Sequence, residues 1–510
     1  MAQRLVVAAA VAYLLLLGWM IGNTSYDAWG LLVVLPVFGA VGAVIMRLLF
    51  TGRLRTILNV MYLGLATKLL GTAARYYVGF EAYDGGIDAQ EYHLYAVDAA
   101  RDVWEGRANF LSIFPGGTGT PFTEGMTALV YTLTGTSKMG GFVAFSFLAY
   151  IGTAFFVKAA CVAIPGLAMR KYALLCVLAP SIIYWPASIG KEALMIFFLG
   201  IATYGIASLV SRPPVLVPIL IAAAGLIGAT FIRPHLVGVW MAGLFPALLV
   251  ALLRGRDVWH EGQKRKLDRA LFLPIVVIAA IGLILVASAT VQYLDPGGGD
   301  SQGGATDLVS IIDETSRRTS QAGSAFTPPS VTNPANWPFA VVRTLTRPLP
   351  MEARGLSQMI VAAEILAFLC MCLWSYRRVL NAGALVVRNA YVAFAVTTLF
   401  LAGLAYSSFG NLAVLSRQRS LVVPLMLLLV CVPPLARRER GGPEIEETIA
   451  DQTNARQTSA SQTSASQKSS MSPSSRAQFD RGGAPTSTRP RQVSIGPPDG
   501  RGTKADDIFD

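Results

Sequence analysis

Apolar runs of about 20 residues recur along most of this chain, and they constrain its fold more than any other feature. Coiled as a helix, a run of that length matches the hydrocarbon thickness of a bilayer. The chain therefore reads as an all-α polytopic membrane protein. About twelve spans can be drawn, near 4–22, 29–50, 56–76, 140–160, 172–187, 192–210, 214–232, 236–253, 271–292, 358–376, 388–407 and 420–436. Only 14% of the residues are charged, against about a quarter in a soluble domain. The net charge of +12 would suit nucleic acid, but its placement argues for membrane lipids as partners and against nucleic acid. Arg53 and Arg55, Arg170 and Lys171, Arg212, the run 254–269, then Arg377, Arg378 and Arg388, and finally 436–440 fall in every second connection. Basic connections face the cytoplasm, so both termini are expected inside a plasma membrane. The N-terminal run lacks a small-residue cleavage site and reads as a first transmembrane helix rather than a removed signal. The five cysteines lie in or beside apolar stretches without ligand spacing, as small packed hydrophobes do.

The remaining connections face outward on this reading and differ in kind. The first, 77–139, contains YDGGIDAQEYHLYAVDAARDVWEG (Tyr83–Gly106). Within it Glu91–Glu105 predicts an amphipathic helix with Tyr92, Tyr95, Ala99 and Val103 on one side. Pro121–Thr134 predicts a second interfacial helix, and FPGGTGTPF (Phe114–Phe122) a Gly/Pro loop between them. A second large loop, 293–357, opens on DPGGGDSQGG, carries a short helix at Asp307–Arg318 and ends in WPFAVVRTLTRPLPMEARG. The third is YSSFGNLAVLSRQR (Tyr406–Arg419). The organisation is thus a helix pair at 1–55, a core at 56–292, the loop 293–357, transmembrane helices at 358–436, and a tail at 437–510. The tail is rich in Ser, Thr, Gln, Pro and Gly and repeats QTSAS, a composition expected to stay disordered and cytoplasmic.

Sorted by side, the ionisable residues gather on the outer face. Asp84, Asp88, Glu91, Tyr92 and His93 come from the first loop. Lys191 and Glu192 open the sixth span, Arg233 and His235 flank the turn between the seventh and eighth, and Arg347, Arg417 and Arg419 come from the later loops. Ionisable groups at membrane depth are functional candidates. Such a set suits a lipid-linked sugar whose phosphate sits at the interface. Arg and Lys would hold the phosphate and stabilise the charge that grows on it, while Asp88 or Asp84 takes a proton from an acceptor hydroxyl. A divalent cation, Mg or Mn, shared by these carboxylates is a second use for them.

Asp88-x-x-x-Tyr92 with Ala96, Ala99 and Gly106, and the stretch PSIIYWPASIGKEALM (Pro180–Met195), resemble the GT-C superfamily of integral-membrane glycosyltransferases, in particular relatives acting on bacterial envelope polysaccharides. The resemblance covers mainly residues 57–250. It implies an essential acidic residue in the first outer loop, followed by interfacial helices. It implies hexosyl or pentosyl transfer, with inversion, from a polyprenyl-phosphate donor to an envelope glycan or lipid-linked acceptor. Two features depart from the pattern: the acidic loop follows the third span rather than the first, and no soluble C-terminal domain is present.

Other readings stand beside these. DAQE (Asp88–Glu91) fits a capping box, His93 a hydrogen-bonded interfacial histidine, Lys191 and Glu192 plain helix-end residues, and Arg233 a snorkelling one. Arg417 and Arg419, basic on the outer side, call for a local anion. A polymerase or ligase acting on polyprenyl-diphosphate-linked repeats would centre on the late arginines instead of Asp84 and Asp88. A transporter or flippase of lipid-linked glycan would need polar residues at the bilayer midplane.

Overall fold

The structure is a computed structural model that describes residues 2–82, 87–211, 216–253, most of 274–288, 326, 329, 333–353 and 355–435. Asp84, Arg212, the basic run 254–269, the glycine-rich stretch 295–304, the helix expected at 307–318, Arg354 and the tail from 436 onward lie outside the described residues. Met1–Ala436 forms one compact unit. Among the described residues the chain is all-helical, without strands.

Helices α1 (Ala2–Asn23), α2 (Tyr26–Leu49) and α3 (Leu58–Tyr77) come first, followed by α4 (Asp88–Trp104) and α5 (Thr120–Thr134) from the first long loop. Next come α6 (Lys138–Ala163), α7 (Met169–Leu178), α8 (Pro180–Tyr184), α9 (Lys191–Ser211), α10 (Leu216–Thr230) and α11 (Pro234–Leu253). The C-terminal part holds α12 (Trp337–Leu345), α13 (Leu356–Trp374), α14 (Tyr376–Val386), α15 (Ala390–Tyr406), α16 (Leu412–Arg419) and α17 (Val423–Leu428). Among the described residues six helical stretches are long and apolar enough to cross a membrane: α2, Gly52–Ala82 around α3, α6, α9, α11 and α13. The pair α14–α15, bent by 103°, would add a seventh. Apolar side chains such as Leu48, Leu70, Leu356 and Leu373 stand on the surface of these helices. A soluble protein of this size would not expose so much apolar area.

At the centre α6 and α9 pack along each other almost without intervening side chains. A Cβ on Gly152 would fall 2.2 Å from the Ile196 carbonyl oxygen, and one on Gly200 2.2 Å from that of Gly152. Small residues of this kind let two membrane helices approach backbone to backbone. Gly205 and Gly225 do the same between α9 and α10.

Several spans depart from the expected uniform helix, with identifiable causes. The stretch 172–187 is split into α7 and α8 at Ala179, whose extended conformation precedes Pro180, because proline disfavours helical geometry in the residue before it. Polar side chains from neighbours satisfy the break: Glu364 accepts from the Ser181 N–H (2.9 Å) and hydroxyl (2.7 Å), and Lys68 donates to the Ile182 carbonyl (2.7 Å). Arg377 and Arg378, expected in a loop, instead lie on α14. Among the described residues of 420–436 the helix is the six-residue α17. In the first long loop both expected helices form. The buried side of α4, however, is Ala89, Tyr92, Ala96 and Ala100, while Tyr95, Ala99 and Val103 are half-buried beside it.

The two ends of the bundle can be told apart by their bonds. At one end Arg53 donates to the Cys161 carbonyl, Asn389 to that of Ala163, Lys171 to Val430, and Arg378 to Val432. The N-termini of α6 and α9 and the turn between α10 and α11 lie at the opposite end, where the first long loop packs.

Candidate active site: a carboxylate–guanidinium cluster

The loop before α5 is held by glycines in left-handed conformation at Gly116, Gly117 and Gly119 (φ +83°, +91° and +81°), where a side chain would be strained. The Gly119 N–H donates to the Phe231 carbonyl at 2.8 Å, and Phe122 stacks on Phe231. Thr120 is thereby fixed beside the α10–α11 turn that carries Arg233. From the other direction, Asn411 caps α16, its side chain accepting from Ala413 N (2.8 Å) and Val414 N (3.3 Å). This cap sets the helix whose last turn bears Arg417, Gln418 and Arg419.

Glu192 is the hub. Its buried Oε1 accepts from Arg233 Nη2 at 2.6 Å and from Arg417 Nε at 2.7 Å. Arg417 reaches on through Nη2 to Asp88 Oδ2 at 3.0 Å, and Arg233 Nη1 donates to Gln418 Oε1 at 2.9 Å. Lys191, next to Glu192, donates to Thr120 Oγ1 at 2.9 Å. Tyr92 is buried alongside. One chain of contacts therefore joins Asp88 of α4, Thr120 of α5, Lys191 and Glu192 of α9, Arg233, and Arg417 of α16. The last is 329 residues from Asp88 in sequence.

The electrostatics follow from this geometry. Glu192 beside it makes Arg417 hold its proton more tightly than usual, against the opposing pull of burial. Burial pushes the Tyr92 phenol up, with the charge of Asp88 adding to the effect, so it acts as a neutral hydrogen-bonding group. Glu124, half-buried on α5, is raised by burial and then by Glu91, with Lys191 pulling the other way. A carboxyl raised in this manner beside a charged cluster is a candidate acid or base.

The other sequence-predicted residues fall around this core. Asp88 is the first residue of α4 rather than its cap, since Ile87 occupies that position with no side-chain cap bond. The capping box expected of DAQE does not form, and the Asp88 carboxylate is committed to Arg417. Glu91 is exposed on α4. His93 turns to Tyr131, with Nδ1 2.6 Å from its hydroxyl, and burial followed by Lys138 lowers its pKa, Asp27 opposing. His235 is half-buried on the first turn of α11. Arg347 pairs with Glu352 at 2.6 Å and lies over the Phe326 ring. Arg419 is fully buried and donates to the carbonyls of Leu345 and Arg347.

Two members, Thr120 and Gln418, and the adjacent Glu124 were not singled out from the sequence. Thr120 and Glu124 had one signal, their place in the helix-starting TPFTE, and Gln418 had its position between two arginines. Among the described residues no group of three His, Cys, Asp or Glu side chains stands together as a cation site. Asp88 and Glu192 are instead bridged by guanidinium groups. No protein-family model, curated protein or solved structure matches the chain.

Proposed function

We propose that this chain is a glycosyltransferase of GT-C type, transferring a sugar from a polyprenyl-phosphate donor to an envelope glycan or lipid-linked acceptor. The observation that carries the reading is the single cluster of Asp88, Lys191, Glu192, Arg233 and Arg417 at one end of a membrane bundle. A cluster of two carboxylates and three cations has one positive charge in surplus, which suits an anionic phosphate at the interface. Lys191 and Arg417 take that phosphate and stabilise its growing charge as the glycosidic bond breaks. Glu192 orients the two arginines. Asp88, more than half exposed, accepts the proton of the acceptor hydroxyl as that oxygen attacks the anomeric carbon from the face opposite the phosphate.

The basic end of the bundle, with Arg53, Lys171, Arg377 and Arg378, is cytoplasmic on the orientation rule. The cluster then faces outward from the plasma membrane, and both termini are inside. On this reading α1, the shorter apolar helices α7–α8, α10, α15 and α17, and the apolar stretch Pro274–Val286 are the further crossings that make about twelve.

The test is glycan output from cells in which the gene is replaced by Asp88→Asn, with membrane levels of the protein checked. Loss of glycan with normal protein and accumulated lipid-linked donor is expected. The polymerase reading shares Arg417 with this one and differs over Asp88. Normal glycan in Asp88→Asn with loss in Arg417→Ala would therefore favour polymerisation of diphosphate-linked repeats.

A further inference from the structure

Arg419 is a buried cation that the cluster does not use. Its Nη1 is spent on the carbonyls of Leu345 and Arg347. Its Nε and Nη2 have no hydrogen-bond partner, although the side chain is fully buried. Those two atoms form one edge of the guanidinium, the edge that grips two oxygens of a carboxylate or phosphate at once. Leaving it bare in a dry site is costly, so such orphaned donors point to a missing partner. Glu364 is the carboxylate that acts on Arg419, but both of its oxygens are committed to Ser181. Arg347, whose carbonyl Arg419 grips, brings a further buried donor without a partner, Nη1.

The position separates this edge from the cluster around Glu192. Arg417 and Arg419 are two residues apart on α16, and side chains so spaced do not share a helix face. Arg417 turns toward Asp88 and Glu192, while Arg419 turns toward α12 and Glu364 of α13. The outer surface of α13 there is apolar and exposed at Leu356, Met359 and Ile360, as on a helix bathed in lipid.

We propose that Arg419 is the receptor of a second oxyanion, a phosphate or phosphodiester seated on its Nε–Nη2 edge and distinct from the group held by Lys191 and Arg417. The chemistry is shared by a phospholipid headgroup and by free phosphate. The inference does not depend on the glycosyl-transfer reading.

The experiment uses the full chain in nanodiscs, with two probes. Phosphatidylglycerol retained per chain is read by native mass spectrometry after release from mixed phosphatidylglycerol–phosphatidylcholine bilayers. Inorganic phosphate is titrated by thermal shift in phosphatidylcholine alone. Arg419→Lys keeps the charge and removes the edge, and is expected to weaken binding about tenfold or more. Arg347→Gln should weaken it less, and Lys191→Gln should leave the Arg419-dependent part of the binding unchanged. Retained phosphatidylglycerol without a phosphate response identifies a lipid, and the reverse identifies free phosphate. If Arg419→Lys does not accumulate, Arg347→Gln decides. The proposal is overturned if neither probe binds the wild type saturably, which would leave a trapped water on the edge. It is equally overturned if binding falls only in Lys191→Gln.

Discussion

The two ends of the bundle use the same side chains for opposite purposes. At one end Arg53, Lys171 and Arg378 donate to backbone carbonyls of Cys161, Val430 and Val432, and Arg377 to that of Leu435. Carbonyls near helix C-termini lack intrahelical partners, so these cations complete the fold. At the other end Arg233 and Arg417 are bound to Glu192, and Arg417 also to Asp88. A backbone carbonyl cannot be exchanged for a substrate without opening a helix. A carboxylate partner can yield its guanidinium to an incoming anion at the cost of one side-chain rearrangement. The difference teaches that partner type, rather than number of cations, sets the two ends apart.

Several substitutions would break or sharpen this contrast. The largest expected effect is that of Asp88→Asn on the proposed glycosyl transfer, a loss of about 100-fold to 10,000-fold, read as glycan formed per unit of membrane protein. Because the Asp88 side chain is 57% exposed, its stability should change by less than about 1 kcal/mol. A large fall in thermal stability would recast Asp88 as structural. Glu192→Leu leaves the buried Arg233 guanidinium without its anion and takes one of two carboxylates from Arg417, and should cost about 3–5 kcal/mol, seen as a lower melting temperature in detergent. Unaltered melting there would mean that the hub carries no weight. At the basic end Lys171→Met should cost about 1–1.5 kcal/mol for its lost hydrogen bonds and leave transfer per folded molecule unchanged. A fall in specific activity would erase the distinction between the ends.

The smallest effect concerns pH. The folded-state pKa of His93 is lowered from 6.5 by burial and by Lys138, so the folded state binds fewer protons than the unfolded chain. That contribution to stability is present above about 6.5 and is lost as pH falls through the lower folded value. His93→Gln should flatten the acid limb of a melting-temperature profile. Glu124 has the opposite sign: its raised pKa makes the folded state hold the proton longer, so stability declines as pH rises through that raised value. Glu124→Gln should remove that decline.

Much of the helix plan is legible in the sequence because burial in a bilayer demands length and apolarity, which show as runs. The helices of the first long loop are legible for a related reason: Pro121, the glycines of FPGGTGTPF and the amphipathic pattern after Asp88 mark their limits. The break at Ala179–Pro180 is also written locally, although its satisfaction by Lys68 and Glu364 is not. Those two residues look like misplaced charges inside apolar spans until their partners on α8 are seen.

The cluster is a different matter. Residue type and membrane side selected Asp88, Lys191, Glu192, Arg233 and Arg417, but nothing local distinguishes them from Glu91, His93 or Arg347. Only the packing of α6 against α9, and of α10 and α16 beside them, decides that Glu192 meets Arg233 and Arg417 while His93 meets Tyr131. Sequence by itself determined the solvent, because the hydrophobic effect acts residue by residue and leaves its pattern along the chain. Tertiary structure alone decided the partners, because a hydrogen bond between residues 329 apart depends on geometry within a few tenths of an ångström, which no local pattern encodes.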